Sequence, residues 1–536
     1  MANELAAMNR VWIAAAAAAA AVSAGALLLQ CWSIFWLQET VWDNEKLLLF
    51  DHLNRFAAGD GLNHLQLARI PSLIPDYLLG WIISWFSDDI RLQYFFYVWT
   101  ISSLQLLLGG LLLSSLLSVD LARAVLVVSG LQILLLGISF PLAINLQISR
   151  LPINHGGNAL LWFLFLILLL KALASPLDQV RQGWVLGCLA FAACLSNRIF
   201  ASQAILPALF LILSSHGRQH RCLGLPILCG AVLGLVSSKL FINSGCLPNF
   251  YFSHLHLVAH LKELLAIRWW PSLGWSGGAG YILIIQITCT IVLVFSSKFS
   301  TSFGSKNDPI SSFGCFVAWV TVFTLLPYPW LLQSQGLLGE SLRYLQPLLL
   351  ITPVSLAVVI AKITAFCSAR QKRFLWRVAL VLMLLAFSRV GMGPLWPRIF
   401  MEWRHPLVEQ IEELIPAGSS VLTAEEEEFL LSSRALKAGS NWRLHVSQIA
   451  SNGHANSWDQ DKGEFYDQSH QLRDYTSLIL APDRRFQALT WYGNPAQVYK
   501  LDSAGNMLWI YDQAGRQRIK KTLQLDLAGS FSILCE

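Results

Sequence analysis

The sequence predicts an α-helical polytopic membrane protein with a small C-terminal α/β domain outside the membrane. Three observations carry that expectation. Apolar segments near 20 residues long recur through roughly the first 397 residues, each able to cross a hydrocarbon core of about 30 Å. Hydrophobic residues make up 55% of the chain and charged residues only 13%, about half the charge of an ordinary soluble protein. Alternate short loops collect Arg and Lys, whereas the first loop on the other side collects Asp and Glu. The net charge of +6 therefore follows topology and gives no sign of nucleic-acid binding.

Hydropathy read forward gives about eleven spans, near 11–36, 92–118, 122–142, 158–174, 181–196, 199–214, 222–242, 279–297, 311–332, 343–365 and 376–395. The first follows Arg10 and outruns a signal h-region of about 7–15 residues, so it reads as an uncleaved span. The fifth and sixth are parted only around Ser196-Asn197-Arg198, and a single bent span there would invert everything downstream. Charge decides between the two. With the N-terminus inside, the inner loops hold Arg123, then Lys171 and Arg181, then Arg218 and Arg221. Farther on they hold Lys298 and Lys306, and finally Arg370, Lys372, Arg373 and Arg377, as the positive-inside rule requires. Merging the pair places that last cluster outside. The expectation is a multi-pass protein of a plasma or inner membrane, N-terminus cytoplasmic and C-terminal part extracytoplasmic.

The tail, residues 398–536, reads as soluble sequence. An amphipathic segment at 406–415 precedes the short apolar run Val421-Leu422-Thr423; further runs at 444–449, 476–481 and 507–511 look like strands, and 424–436 looks helical. Alternating helix and strand patterns predict a small α/β domain. The four glutamates Glu425–Glu428 read as a solvated helix start. The ten cysteines form no CxxC pair, and most lie inside apolar segments, where Cys acts as a small hydrophobe. Cys246 and Cys535 both fall outside, which leaves a bond between them open.

Candidate chemistry lies in the outer loops. In the first, Leu47, Leu48, Phe50, Leu53 and Phe56 recur at helical spacing, predicting an amphipathic helix at the membrane surface. Asp43 stands near its start, where the helix dipole favours a carboxylate. Pro71 and Pro75 then hold Asp76 at the head of a second apolar segment. Asp43, Glu45 and Asp51 read equally as caps that keep the surface helix wet, and Glu39 precedes them in the same loop. Arg150, Arg198 and Arg343 fall near span ends on the outer side, where they can meet a phosphate or simply snorkel to the interface. Asn154-His155-Gly156-Gly157 falls in the second outer loop, around 145–157; its glycines permit close backbone approach and His155 can hold a ligand, though a plain turn explains it too. His254, His256, His260 and Glu263 occupy a third outer segment. His256, His260 and Glu263 have workable spacing for a divalent metal, and an interfacial helix explains the same pattern.

This layout resembles the GT-C class of integral-membrane glycosyltransferases, which use polyprenyl-phosphate sugars. It has an early span, a long outer loop with carboxylates and interfacial helices, many further spans and an outer α/β tail. The resemblance implies a catalytic acid early in the first loop, a position that Asp43 matches, with Asp76 as a second site carboxylate. Arg343-Tyr344-Leu345-Gln346-Pro347 is similar to an Arg-Tyr-Leu-x-Pro segment of such enzymes, which implies that Arg343 and Tyr344 touch substrate. The implied partners are the lipid-linked sugar, the bilayer and an unnamed glycan, lipid or protein acceptor. Transfer from a phosphate-linked sugar needs a base for the acceptor hydroxyl and cations for the leaving phosphate. Two other classes compete: a transporter or lipid flippase, which keeps ionisable groups near the midplane, and a non-catalytic envelope-polysaccharide assembly protein.

Overall fold

The computed structural model describes residues 14–25, 49–50, 53, 73–87, 90–138, 156–174, 179–214, 221–241, 279–300, 309–325 and 345–365. In the C-terminal part it describes 420–423, 443–446, 448–449, 455–456, 475–480, 489, 493–500 and 507–519, with isolated positions between 367 and 414. The N-terminal portion is a bundle of apolar helices. They are α1 (Ala14–Gly25), α2 (Leu78–Ser84), α3 (Ile90–Leu117), α4 (Leu121–Ile138), α5 (Gly156–Ala174) and α6 (Gln179–Ser196). Then follow α7 (Leu206–Ser214), α8 (Arg221–Phe241), α9 (Ala279–Ser300), α10 (Pro309–Leu325) and α11 (Gln346–Ala365). π-helical turns at Leu73–Tyr77 and Ala201–Ile205 lead directly into α2 and α7. Among the described residues three stretches are long and apolar enough to cross a membrane: Leu92–Leu117, Gly156–Ala174 and Gln346–Ala365, with mean hydropathies of 1.7, 2.1 and 2.2.

Helices α3 and α4 form a hairpin through a tight turn in which Ser118 takes a left-handed φ of 54°. Asp120 caps α4, its Oδ1 accepting from the Arg123 backbone N–H at 2.9 Å, which satisfies one otherwise orphaned donor. Trp99 ties α1 to this hairpin by donating its indole N–H to the Ala21 carbonyl at 2.9 Å.

Glycines let α6 and α8 cross closely. A Cβ at Gly183 would lie 3.1 Å from the Cys222 carbonyl, and one at Gly187 2.6 Å from that of Pro226. A Cβ at Gly230 would strike the Gly187 carbonyl, and one at Gly234 would meet that of Phe191 at 2.5 Å. These contacts advance together along both helices, so α6 and α8 run parallel. The intervening α7 must return the chain, and Leu209 and Ile212 near its end reach Gly224 near the start of α8. Ser196-Asn197-Arg198 therefore separates two antiparallel helices. Asn197 supplies the local reason: its Oδ1 accepts from the Ile199 N–H at 3.0 Å, starting a new helix in the manner of an N-cap.

Helices α9 and α10 pack antiparallel, with Gly314 against Leu293 and a polar seam of Gln286, Thr290 and Thr321 between them. Aromatic contacts fasten α10 to its neighbours: Trp162 with Phe316 at 6.0 Å and Phe210 with Trp319 at 4.8 Å. Most of the buried apolar side chains join in one core running through these helices.

The tail holds β1 (Ser420–Thr423), β2 (Arg443–Val446), β3 (Gln448–Ile449), β4 (Ala455–Asn456), β5 (Tyr475–Leu480), β6 (Gln497–Lys500) and β7 (Met507–Ile510). Five form a mixed sheet in the order β2-β1-β5-β7-β6, and β3 pairs antiparallel with β4. Strand β1 is parallel to both β2 and β5, whereas β7 is antiparallel to β5 and β6. Parallel neighbours need crossover connections of roughly a dozen residues or more, and the chain between β1 and β2 is long enough to supply one. The three runs expected as strands and the apolar run at 421–423 all fall on this set, while β4 and β6 add strands that the pattern reading lacks. The expected helix at 424–436 lies outside the described residues, as does the 406–415 segment apart from Leu414, which is helical.

Candidate functional site

Asp76 is the one proposed site carboxylate within the described residues, and the fold builds a tight enclosure around it. The chain reaches it through Ile74, whose backbone is extended (φ −127°, ψ 127°), and a cis Ile74–Pro75 bond. The π-helical turn then aims the Asp76 side chain into the bundle, leaving it 2% exposed. The Tyr97 hydroxyl, from the first turns of α3, donates to Asp76 Oδ1. The opposite wall is the backbone of Gly157 in the first turn of α5. A Cβ there would collide with the Asp76 carboxylate and with the Pro75 ring. Burial of a carboxylate costs free energy unless charge and hydrogen bonds compensate. Here a phenol donor and the positive end of the α5 dipole both favour the anion.

The same turn is stapled to α6: the Ile74 N–H donates to Ser196 Oγ at 3.0 Å. Three distant pieces of chain therefore meet at one end of the bundle: the first-loop turn, the start of α5, and the break between α6 and α7. The break contributes Asn197, buried, and Arg198, half-buried with its Nε donating to Ser238 Oγ of α8 at 3.4 Å. Asn158 is buried in the first turn of α5, its Oδ1 without a partner among the described residues. Trp162 closes the floor, donating to the Gln203 carbonyl in the second π-helical turn at 3.1 Å. Beneath Asp76, Phe50 stacks edge-on against Tyr97 with centroids 5.9 Å apart. Leu49 and Phe50 are fully buried. At those two positions the apolar face of the expected surface helix is covered by protein instead of lipid.

The structure thus brings Asp76 and Arg198 to neighbouring parts of one bundle end. Asp43, Arg150, His155, Arg343 and Tyr344 lie outside the described residues, as do His256, His260 and Glu263. Among the described residues no group of three His, Cys, Asp or Glu side chains is placed to hold a metal. Tyr97, Ser196 and Gly157 are members of the site that sequence reading missed. Gly157 had a signal, since the Gly156-Gly157 pair reads as a place of close approach, but what approaches it is the protein's own carboxylate.

Ionisable groups are distributed in a telling way. In every described helix from α3 to α11, Asp, Glu, Lys and Arg occur only in the first or last turn. The central turns carry uncharged polar groups such as Gln105, Gln286, Thr290 and Thr352. A route for ions through the bilayer is ordinarily marked by charge at mid-depth. Compared with known proteins, the chain matches no family model and no curated protein.

Proposed function

We propose that the protein is a membrane glycosyltransferase that moves a sugar from a polyprenyl-phosphate carrier to an acceptor at the outer membrane face. The observation that carries this reading is the restriction of charge to the ends of the described apolar helices, with the first-loop turn, the start of α5 and the α6–α7 break meeting at one such end. There a first-loop carboxylate, Asp76, and a cation, Arg198, are held next to each other's supporting turns. A transferase working on a lipid-borne phosphate needs its ionisable groups at the interface, whereas a transporter or flippase needs them at the midplane.

In this scheme Asp43 takes the proton from the acceptor hydroxyl as its oxygen attacks the anomeric carbon. The bond from that carbon to the phosphate oxygen breaks, and the lipid phosphate leaves with the electron pair. Arg343, with Arg198 and Arg150, stabilises the departing phosphate, Tyr344 and His155 contact substrate, and Asp76 holds the first loop against the bundle. About eleven spans, a cytoplasmic N-terminus and an extracytoplasmic tail complete the proposal, with the tail covering the acceptor path.

Membranes containing the chain are expected to transfer label from polyprenyl-phosphate sugars to an endogenous acceptor, and control membranes are not. Arg343→Lys keeps the charge but loses the bidentate fork, so it should retain more activity than Arg343→Ala. Equal activity in the two variants and the parent chain removes Arg343 from the phosphate site.

A further inference from the structure

One surface beside the site is left over by this account. Helix α2 buries Gly80 and Ile83 but exposes Leu78, Trp81 and Ile82, and with Trp85 at its C-cap these fall at i, i+3, i+4 and i+7 on a single face. Phe86 extends that face at 77% exposure, and Trp81 and Trp85 pack edge-on with centroids 4.5 Å apart. Between Leu73 and Ser87 the only charged residue is Asp76, which points the other way, into the bundle. A contiguous uncharged aromatic face of this kind marks a docking surface.

The depth of α2 decides what docks there. Its buried Ile83 shares one apolar cluster with Tyr94, Tyr97, Val98 and Ile101 of α3. Those residues belong to the opening turns of the membrane-length stretch that begins at Leu92. At about 1.5 Å per residue, Ile101 lies about 14 Å into that stretch. All 26 residues of the stretch rise about 39 Å, against a hydrocarbon core of about 30 Å, so its first turns straddle the headgroup and upper acyl layers. Helix α2 is packed at that level and, at about 10 Å long, is too short to cross. Its outer face is therefore presented sideways to whatever surrounds the end of α3.

We infer that the Leu78–Trp81–Ile82–Trp85–Phe86 face is a lipid-docking surface, set into the headgroup–acyl boundary of the leaflet nearest Asp76. The indole rings suit that layer, being apolar in body with one polar N–H. The first loop is then fastened twice within a dozen residues, to the bundle through Asp76 and to the bilayer through α2. This inference rests on reading the chain as membrane-spanning but is independent of the transferase reading.

A photo-crosslinking amino acid placed at Trp85 or Phe86 of the full chain in native membranes tests it, with adducts identified by mass spectrometry. Trp184, 65% exposed on α6, is the reference for a bilayer-facing position. Phospholipid adducts at 85 and 86 comparable to those at 184 are expected. Adducts at 184 with none at 85 and 86, or crosslinks from 85 and 86 to another segment of this chain or to a second protein, overturn the surface. Absence of lipid adducts at all three positions overturns the membrane reading itself.

Discussion

At the scale of single residues, Asp76 is the most tightly specified side chain near the candidate site. Its enclosure predicts an order of effects. Tyr97→Phe removes one donor from a buried carboxylate and should cost about 1–3 kcal/mol, read as a fall in unfolding temperature of the purified protein in nanodiscs. Gly157→Ala drives a methyl group into the carboxylate and the Pro75 ring, so it should cost at least as much while leaving the hydrogen bond chemically intact. If both variants melt with the parent chain, the enclosure contributes nothing to stability. The carboxylate was legible in the sequence because two prolines and an apolar run frame it. Its partners were not, since Tyr97 lies 21 positions away and the staple from Ile74 reaches Ser196 across 122. No local pattern carries such a pairing.

Among elements, the parallel packing of α6 on α8 rests on glycines spaced four apart along each helix, Gly183 and Gly187 on α6 and Gly230 and Gly234 on α8. Small residues at that spacing let helix backbones approach closely. A methyl group at Gly230 meets the Gly187 carbonyl, so Gly230→Ala should destabilise by about 1–3 kcal/mol, in the range of overpacked cores. The contrasting variant is Gly224→Ala, whose new methyl would find its nearest neighbours at 3.8 Å and should be tolerated. Equal behaviour of the two in thermal unfolding argues against this crossing. The helices were largely readable from hydropathy, because lipid and core both select apolar side chains. Which helix neighbours which was not readable, because a uniformly apolar helix shows no preferred face.

In the tail, burial raises the Tyr511 phenol above its ordinary 10.0, with the Arg518 charge acting the other way. The folded sheet then holds that proton more tightly than the unfolded chain does. The associated stability is complete below pH about 10 and is lost as pH climbs toward the raised value. Tyr511→Phe should flatten this alkaline slope in unfolding experiments on the whole protein. An unchanged slope assigns it to other groups. Strand β6 escaped the sequence reading because Gln497–Lys500 offers only Val498 and Tyr499 as strand formers, and a mostly exposed edge strand needs little more.

For the whole molecule, charge placement organises everything proposed here. In the proposed topology basic loops set the orientation, and the described helices keep Asp, Glu, Lys and Arg to their first and last turns. Orientation has its own test: a reporter active only in the cytoplasm, fused after Glu536, should be silent, and activity there would turn every proposed site to the opposite face. The central claim is chemical, and the transfer rate of Asp43→Asn against the parent chain tests it most directly. Asparagine keeps the shape of the side chain and removes the base, so transfer from a polyprenyl-phosphate sugar should fall by roughly 10²–10⁴-fold with the protein still folded in the membrane. A parent chain that transfers no sugar contradicts the proposed function. A variant that transfers at the parental rate contradicts Asp43 as the base and moves the search to Glu39, Glu45 or Asp51.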